Sequence, residues 1–295
     1  MKRYFIQNGT MPVHITEWGS RNDEVIFCLH GLGSTSLSFI DVAEDLQKDY
    51  RIISVDAPGH GKTPPFPSQE DYEMPRMAEW MDDIVNILKL NEFYFLSHSW
   101  GSFVHLFYLK NYSDRVNGSI LLDGGYQSKR HSGKTVEEEM AYYEEDFEQT
   151  WINREDFMEL VQSETLTWSP LKEQAAEDLA LIKDGKYYWH ARGVTGANII
   201  RAMHKDDIED IFVDMPPGIL LLKATLPEHL KEDRNSQAER FRRKTKAEVK
   251  PIPKATHLLH WDRPEAVVEE VRNRWHRIDG QLAGRIEKPL NQTFE

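Results

Sequence analysis

Between Phe93 and Ser102 the chain reads Phe-Tyr-Phe-Leu-Ser-His-Ser-Trp-Gly-Ser, and no other stretch narrows the possible folds as much. Phe93–Leu96 is a short apolar run rich in aromatics, the pattern of a strand buried on both faces. Ser97-His98-Ser99 interrupts it, and apolar residues then recur at helical spacing: Phe103, Val104, Phe107 and Tyr108. A buried strand that passes directly into a helix at Ser99 predicts a sharp turn at that residue. It also sets the Ser99 hydroxyl at a helix N-terminus, where backbone N–H groups and the helix dipole favour a developing negative charge.

The flanking segments extend this pattern. Tyr4–Ile6 and Val13–Trp18, around a turn at Asn8-Gly9, predict an antiparallel pair. Val25–Leu29 is a continuous apolar run, hence a central strand, and it ends in His30-Gly31-Leu32-Gly33-Ser34. Phe39, Val42, Ala43 and Leu46 mark a helix, and Arg51–Asp56 is the next strand, closed by Ala57-Pro58-Gly59-His60-Gly61. Met77, Met81, Ile84 and Leu88 share a helical face that leads into the Ser99 strand. Ser119–Leu122 is another buried strand, finishing at Asp123-Gly124-Gly125. Strands alternating with helices at these lengths predict an α/β fold whose mostly parallel sheet is covered on both faces. Gly218–Leu222 and Val249–Ile252 resume the sheet later. The helix between them, from Leu230 to Lys246, is charged, and its basic patch (Arg240, Arg242, Arg243, Lys244) reads as a solvated face.

Composition limits the function classes. A chain of 295 residues can bury one large core. No stretch approaches the roughly 20 apolar residues of a membrane span, and the first residues lack the apolar region of a signal peptide. The single cysteine, Cys28, lies in an apolar run, so no internal disulfide can form and a cytoplasmic setting is expected. A formal net charge of −13 argues against nucleic acid and anionic membranes as partners.

Three motifs, in order, carry a resemblance. His30-Gly31 follows one strand, Asp56-x-x-Gly59-His60-Gly61 the next, and Ser97-His98-Ser99-Trp100-Gly101 a third. Together they resemble the α/β-hydrolase family, with Ser97 replacing the first glycine of the Gly-x-Ser-x-Gly nucleophile elbow by another small residue. The resemblance implies a core formed by 1–125 and 216–280, a helical cap inserted at 126–215, and a C-terminal tail at 281–295. Within 126–215 the strand–helix alternation stops, and acidic runs such as Glu137-Glu138-Glu139 read as a solvated outer face. Trp151, Trp168 and Trp189 read there as packing anchors, or as the lining of a pocket for an apolar or aromatic small molecule.

A serine hydroxyl is a poor nucleophile unless a base takes its proton and an acid orients that base. The resemblance makes Ser99 the nucleophile. It makes His257, between the last strand and the closing helix, the base, and Asp262-Arg263-Pro264-Glu265 after it resembles the family's continuation. The usual acid slot, Leu222 to Glu228, holds no aspartate. Asp123, at the same sheet edge as Ser99, is then the expected acid and Glu228 the alternative; either keeps the order Ser, Asp or Glu, His. The backbone N–H groups of Leu32 and Trp100 are expected to form the oxyanion hole. His260, three residues on, is the competing candidate for the functional histidine, though it better suits packing against the closing helix; His30, His60 and His98 read as structural, and no metal or cofactor motif is present.

Two enzymatic functions fit these residues. One is a serine hydrolase that cleaves a carboxylic ester, lactone or related acyl bond through an acyl-enzyme. The other, by a shorter resemblance at Ser97-His98-Ser99 and Asp123, is a cofactor-free dioxygenase of the same fold, in which histidine deprotonates an N-heteroaromatic substrate. Haloalkane dehalogenases share the tryptophan after the nucleophile, but attack with an aspartate where this chain has Ser99. A non-enzymatic binding protein on the same scaffold is a third possibility.

Overall fold

A computed structural model describes residues 1–21 and 23–275. The chain begins with the hairpin β1 (Lys2–Asn8) and β2 (Met11–Trp18), followed by β3 (Val25–Leu29), α1 (Ile40–Leu46), β4 (Arg51–Val55), α2 (Met74–Ile87), β5 (Phe93–His98), α3 (Trp100–Tyr112) and β6 (Val116–Leu122). An intervening segment holds α4 (Val136–Asp146), β7 (Thr150–Trp151), α5 (Arg154–Ser163), α6 (Pro170–Glu177), β8 (Ala180–Lys183), β9 (Lys186–Trp189) and α7 (Gly193–Lys205). The sheet then resumes with β10 (Ile219–Ala224), α8 (Lys231–Thr245) and β11 (Glu248–Ile252), before α9 (Leu259–Asp262) and α10 (Pro264–Trp275). The expected tail at 281–295, and the last residues assigned to the core, lie outside the described residues.

Eight strands form one sheet in the order β1-β2-β4-β3-β5-β6-β10-β11. Only β1–β2 and β2–β4 pair antiparallel; every other neighbour is parallel. The apolar runs read in the sequence sit in its middle because both faces there are covered: every residue of β4 and β10 is buried. One apolar layer, holding Met77, Met81, Val104 and Phe241, joins α2, α3 and α8 to one face. The other, holding Val42, Leu46, Val267 and Val271, joins α1 and α10 to the opposite face. The expected α/β-hydrolase architecture is the one observed.

The strand order positions the site. The chain leaves β3 through α1 to reach β4 on one side, then crosses back so that β5 lies on the other side of β3. Loops after β3 and β5 therefore diverge to opposite faces and open a crevice at the carboxyl ends of these strands, where ligands bind in open α/β sheets.

The segment between β6 and β10 is not purely helical, as the sequence reading expected. It also carries a three-stranded antiparallel sheet, β7-β9-β8. Asp184 and Gly185, both with positive φ (51° and 73°), close a two-residue hairpin between β8 and β9. An Asp-Gly pair between aliphatic and aromatic residues is a hairpin signal in its own right. The acidic helices around it masked that signal. Among the described residues, no helix is long and apolar enough to cross a membrane.

Candidate active site

Ser99 sits between the end of β5 and the first residue of α3 with φ 51° and ψ −122°. That conformation costs a non-glycine residue on the order of 1–3 kcal/mol and persists only where its surroundings impose it. Here they do. Ser99 N–H donates to the Leu122 carbonyl at 3.0 Å, and the Ser99 carbonyl accepts from Ser102 N–H at 2.9 Å. A Cβ on Gly101 would lie 2.5 Å from the carbonyl oxygens of both Leu29 and His30, and one on Gly124 would lie 2.2 Å from the Ser99 carbonyl oxygen. Any side chain at either position would force the backbone to shift. Ser97, which stands where the motif has glycine, turns its hydroxyl inward to Ser102 Oγ (3.0 Å) and His105 Nδ1 (2.8 Å), and His105 Nε2 continues to Ser119 Oγ (3.0 Å). The replacement thus joins a buried polar chain beneath the turn. Sequence reading missed this chain because its members lie on three elements, β5, α3 and β6, and meet only when these pack together.

The fold brings Ser99, His257 and Asp123 into one line. His257 Nε2 lies 2.8 Å from Ser99 Oγ, and Nδ1 lies 2.8 Å from Asp123 Oδ2. An ionised carboxylate only accepts, so Nδ1 carries the proton and Nε2 is free to accept from the serine hydroxyl. Asp123 is fully buried. Its Oδ1 accepts from Ala224 N–H at 3.0 Å and from the Tyr126 hydroxyl at 3.1 Å, and Arg234 Nη2 lies 3.7 Å from Oδ2. Burial pushes the Asp123 carboxyl up, but the His257 hydrogen bond and charge, Arg234 and the Ala224 N–H outweigh it and hold the carboxyl below its ordinary range. Glu228, the alternative acid, points to solvent with its carboxylate 3.3 Å from Lys231 Nζ; the site already has its carboxylate in Asp123.

The other predicted residues fall around this line. Leu32, after β3, and Trp100, the first residue of α3, line a cavity of about 300 Å³ together with Ser99 and His257. The first N–H groups of a helix have no intrahelical partner, which leaves that of Trp100 available. A second cavity of about 430 Å³ meets the first at Ser99 and is walled by Phe147, Val161, Leu179, Trp189 and Trp261. Of the three tryptophans singled out in 126–215, Trp189 lines this cavity. Trp151 packs edge-on against Trp189 and Phe157, and Trp168 packs against Trp261.

The remaining histidines hold loops. His30 donates from Nδ1 to the Gly31 carbonyl (2.7 Å) and accepts at Nε2 from Ala57 N–H (3.0 Å), tying the loop after β3 to the loop after β4. His60 stacks on Trp100 with ring centroids 5.5 Å apart. His98 donates from Nε2 to the His257 carbonyl (2.9 Å), and His260 Nε2 meets Ser38 Oγ (2.7 Å). Asp262 fixes the segment carrying His257: its carboxylate accepts from Thr256 N–H (2.7 Å) and Leu166 N–H (2.5 Å), linking that segment to the chain between α5 and α6. Asp56 explains its own motif. Its carboxylate takes Ser36 N–H (2.6 Å), Lys62 N–H (2.9 Å) and His14 Nδ1 (2.7 Å), and a Cβ on Gly61 would lie 2.2 Å from it. Among the described residues, no cluster of His, Cys, Asp and Glu could hold a metal ion.

A serine raised at the switch point of a parallel sheet, with an imidazole and a buried carboxylate behind it, is an arrangement of the α/β-hydrolase class. Residues 24–180 match the alpha/beta hydrolase fold family, and the chain belongs to it. A serine hydrolase-like protein of Danio rerio is 29% identical over 106 residues, which cover 36% of this chain and 32% of that protein. A haloalkane dehalogenase of Psychrobacter cryohalolentis is 26% identical over 110 residues, 37% of this chain and 36% of that one. The chain matches only 32–52% of the length of its serine hydrolase-like relatives. In fold it is similar to the crystal structure of E-2-(acetamidomethylene)succinate hydrolase, with a TM-score of 0.77, 18% identity, and coverage of 92% of this chain and 98% of that one.

Proposed function

We propose that the protein is a serine hydrolase that cleaves a carboxylic ester, lactone or related acyl bond of a small apolar or aromatic substrate. One observation carries the reading: Ser99 Oγ, His257 and Asp123 are joined by two 2.8 Å hydrogen bonds in the tautomer that base catalysis requires. In this mechanism His257 Nε2 takes the hydroxyl proton as Ser99 Oγ attacks the acyl carbon. The resulting imidazolium is stabilised by Asp123 and returns its proton to the leaving group. Water then repeats the sequence on the acyl-enzyme. The N–H groups of Leu32 and Trp100 would receive the oxyanion, with the N-terminus of α3 favouring its charge. The aromatic wall of the larger cavity supports an apolar or aromatic substrate. The serine hydrolase-like relatives support the same class.

The test is labelling with a fluorophosphonate followed by peptide mapping, beside turnover of a p-nitrophenyl ester. Stoichiometric label on Ser99 is expected, and Ser99→Ala should abolish both label and turnover. A folded protein that takes no label and turns over no ester, but consumes oxygen with a hydroxyquinolone, would be the dioxygenase instead.

A further inference from the structure

In sequence α8 is a solvated, charged helix, yet one of its arginines turns inward. Arg234 is only 5% exposed. Its Nη1 donates to the Leu226 carbonyl, Nη2 lies 3.7 Å from Asp123 Oδ2, and Nε is buried without a hydrogen-bond partner. A buried guanidinium this sparsely bonded is costly for a fold. Packing does not call for it, because Ala238 and Phe241 already anchor the helix to the core.

We infer that Arg234 is a positioning residue for the Ser99–His257–Asp123 line, its charge keeping Asp123 an acceptor for His257 Nδ1–H. The inference rests on reading that line as a catalytic triad. Arg234 faces the same carboxylate oxygen that His257 bonds, but from ion-pair rather than hydrogen-bond distance, so it adds charge without displacing the imidazole. The other oxygen is occupied by Ala224 N–H and the Tyr126 hydroxyl. If Asp123 took up a proton it could donate to Nδ1, and His257 would then present Nε2–H, a donor, to Ser99. The nucleophile would lose its base.

The other charged and titratable groups around the site do not replace this cation. On β10, Lys223 attracts Asp123 more weakly from a distance, and its Nζ is held by Asn235 Oδ1 at 2.9 Å. On α8 itself, Lys231 pairs with Glu228 and Asp233 accepts from Gln237. Tyr126 is kept neutral by burial. On the His257 side, His98 and His260 are both held neutral by burial. Among the described residues, only Arg234 and His257 come within ion-pair distance of Asp123.

The experiment reads the acid limb of the Ser99–His257–Asp123 line as a whole. The rate of fluorophosphonate labelling at Ser99 is measured against pH in wild type, Arg234→Gln and Arg234→Lys, each checked for fold by circular dichroism. Loss of a positive charge at this distance should raise the midpoint of the acid limb by about one pH unit in Arg234→Gln. The alkaline plateau should be largely recovered, and the midpoint should stay near wild type in Arg234→Lys. A purely structural role would depress the rate at every pH without moving the midpoint. A midpoint unmoved in Arg234→Gln, or moved equally in Arg234→Lys, overturns the inference while leaving the triad intact. If Arg234→Gln does not fold, Arg234→Met is read in its place. Absence of labelling in wild type at every pH overturns the triad reading and this inference together.

Discussion

At the scale of single residues, the two candidate carboxylates differ in what surrounds each. Asp123 is enclosed and receives hydrogen bonds from an imidazole, a phenol and a backbone N–H. Glu228 is solvated beside a lysine. A carboxylate orients a catalytic imidazole only if its own position and ionisation are held, and solvent holds neither. Asp123→Asn should therefore lower kcat for a p-nitrophenyl ester by about 10⁴-fold, because the amide favours the wrong imidazole tautomer. Glu228→Gln should leave kcat at the wild-type value. Steady-state kinetics on both variants checks the assignment, and the reverse ranking would refute it.

At the scale of elements, the turn between β5 and α3 is a problem of backbone clearance. Ser99 can hold its positive φ only while α3 presses against the loop after β3, and Gly101 is the point of contact. A methyl group there meets the carbonyl oxygens of Leu29, the last residue of a central strand, and of His30 just after it. Gly101→Ala should destabilise the protein by about 1–3 kcal/mol as an overpacking substitution. It should also lower turnover of the surviving folded fraction, because relief of the clash must move Ser99. A urea titration with parallel assays would detect both effects; unchanged stability would show that the two elements separate freely.

At the scale of the whole molecule, buried titratable groups link stability to pH in one direction. Burial holds His30, His98 and His105 below the ordinary imidazole value and brings His60 and His260 down to about 3. Between those values and about 6.5, the unfolded chain binds protons that the folded chain does not. Stability should thus begin to fall as pH drops below about 6.5, by up to roughly 1.4 kcal/mol per pH unit for each proton of difference. Asp56 and Asp123 add to this at lower pH. Burial raises both, but hydrogen bonds and neighbouring cations hold them below the carboxylate range, so their contribution is present above about pH 4 and lost beneath it. Urea midpoints measured from about pH 8 to about pH 4.5 should decline steadily, and a flat profile between about pH 7 and 5 would contradict the account.

What the sequence determined by itself is what depends on neighbours along the chain. The alternation of apolar runs set the strands, and the Phe93–Gly101 stretch set the turn and its serine. The resemblance put His257 after the last strand, and there its Nε2 lies 2.8 Å from Ser99 Oγ. The Asp184-Gly185 hairpin was equally legible and was missed beneath the acidic pattern around it. Only the tertiary structure decided the rest, because it concerns groups brought together from different elements. The structure encloses Asp123 against His257 and leaves Glu228 solvated, and it gives Ser97 a partner in His105. It also turns Arg234 of a highly charged helix toward a carboxylate more than a hundred residues away in sequence. Burial and charge at a site are sums over all the elements that meet there, and local pattern records only one of them at a time.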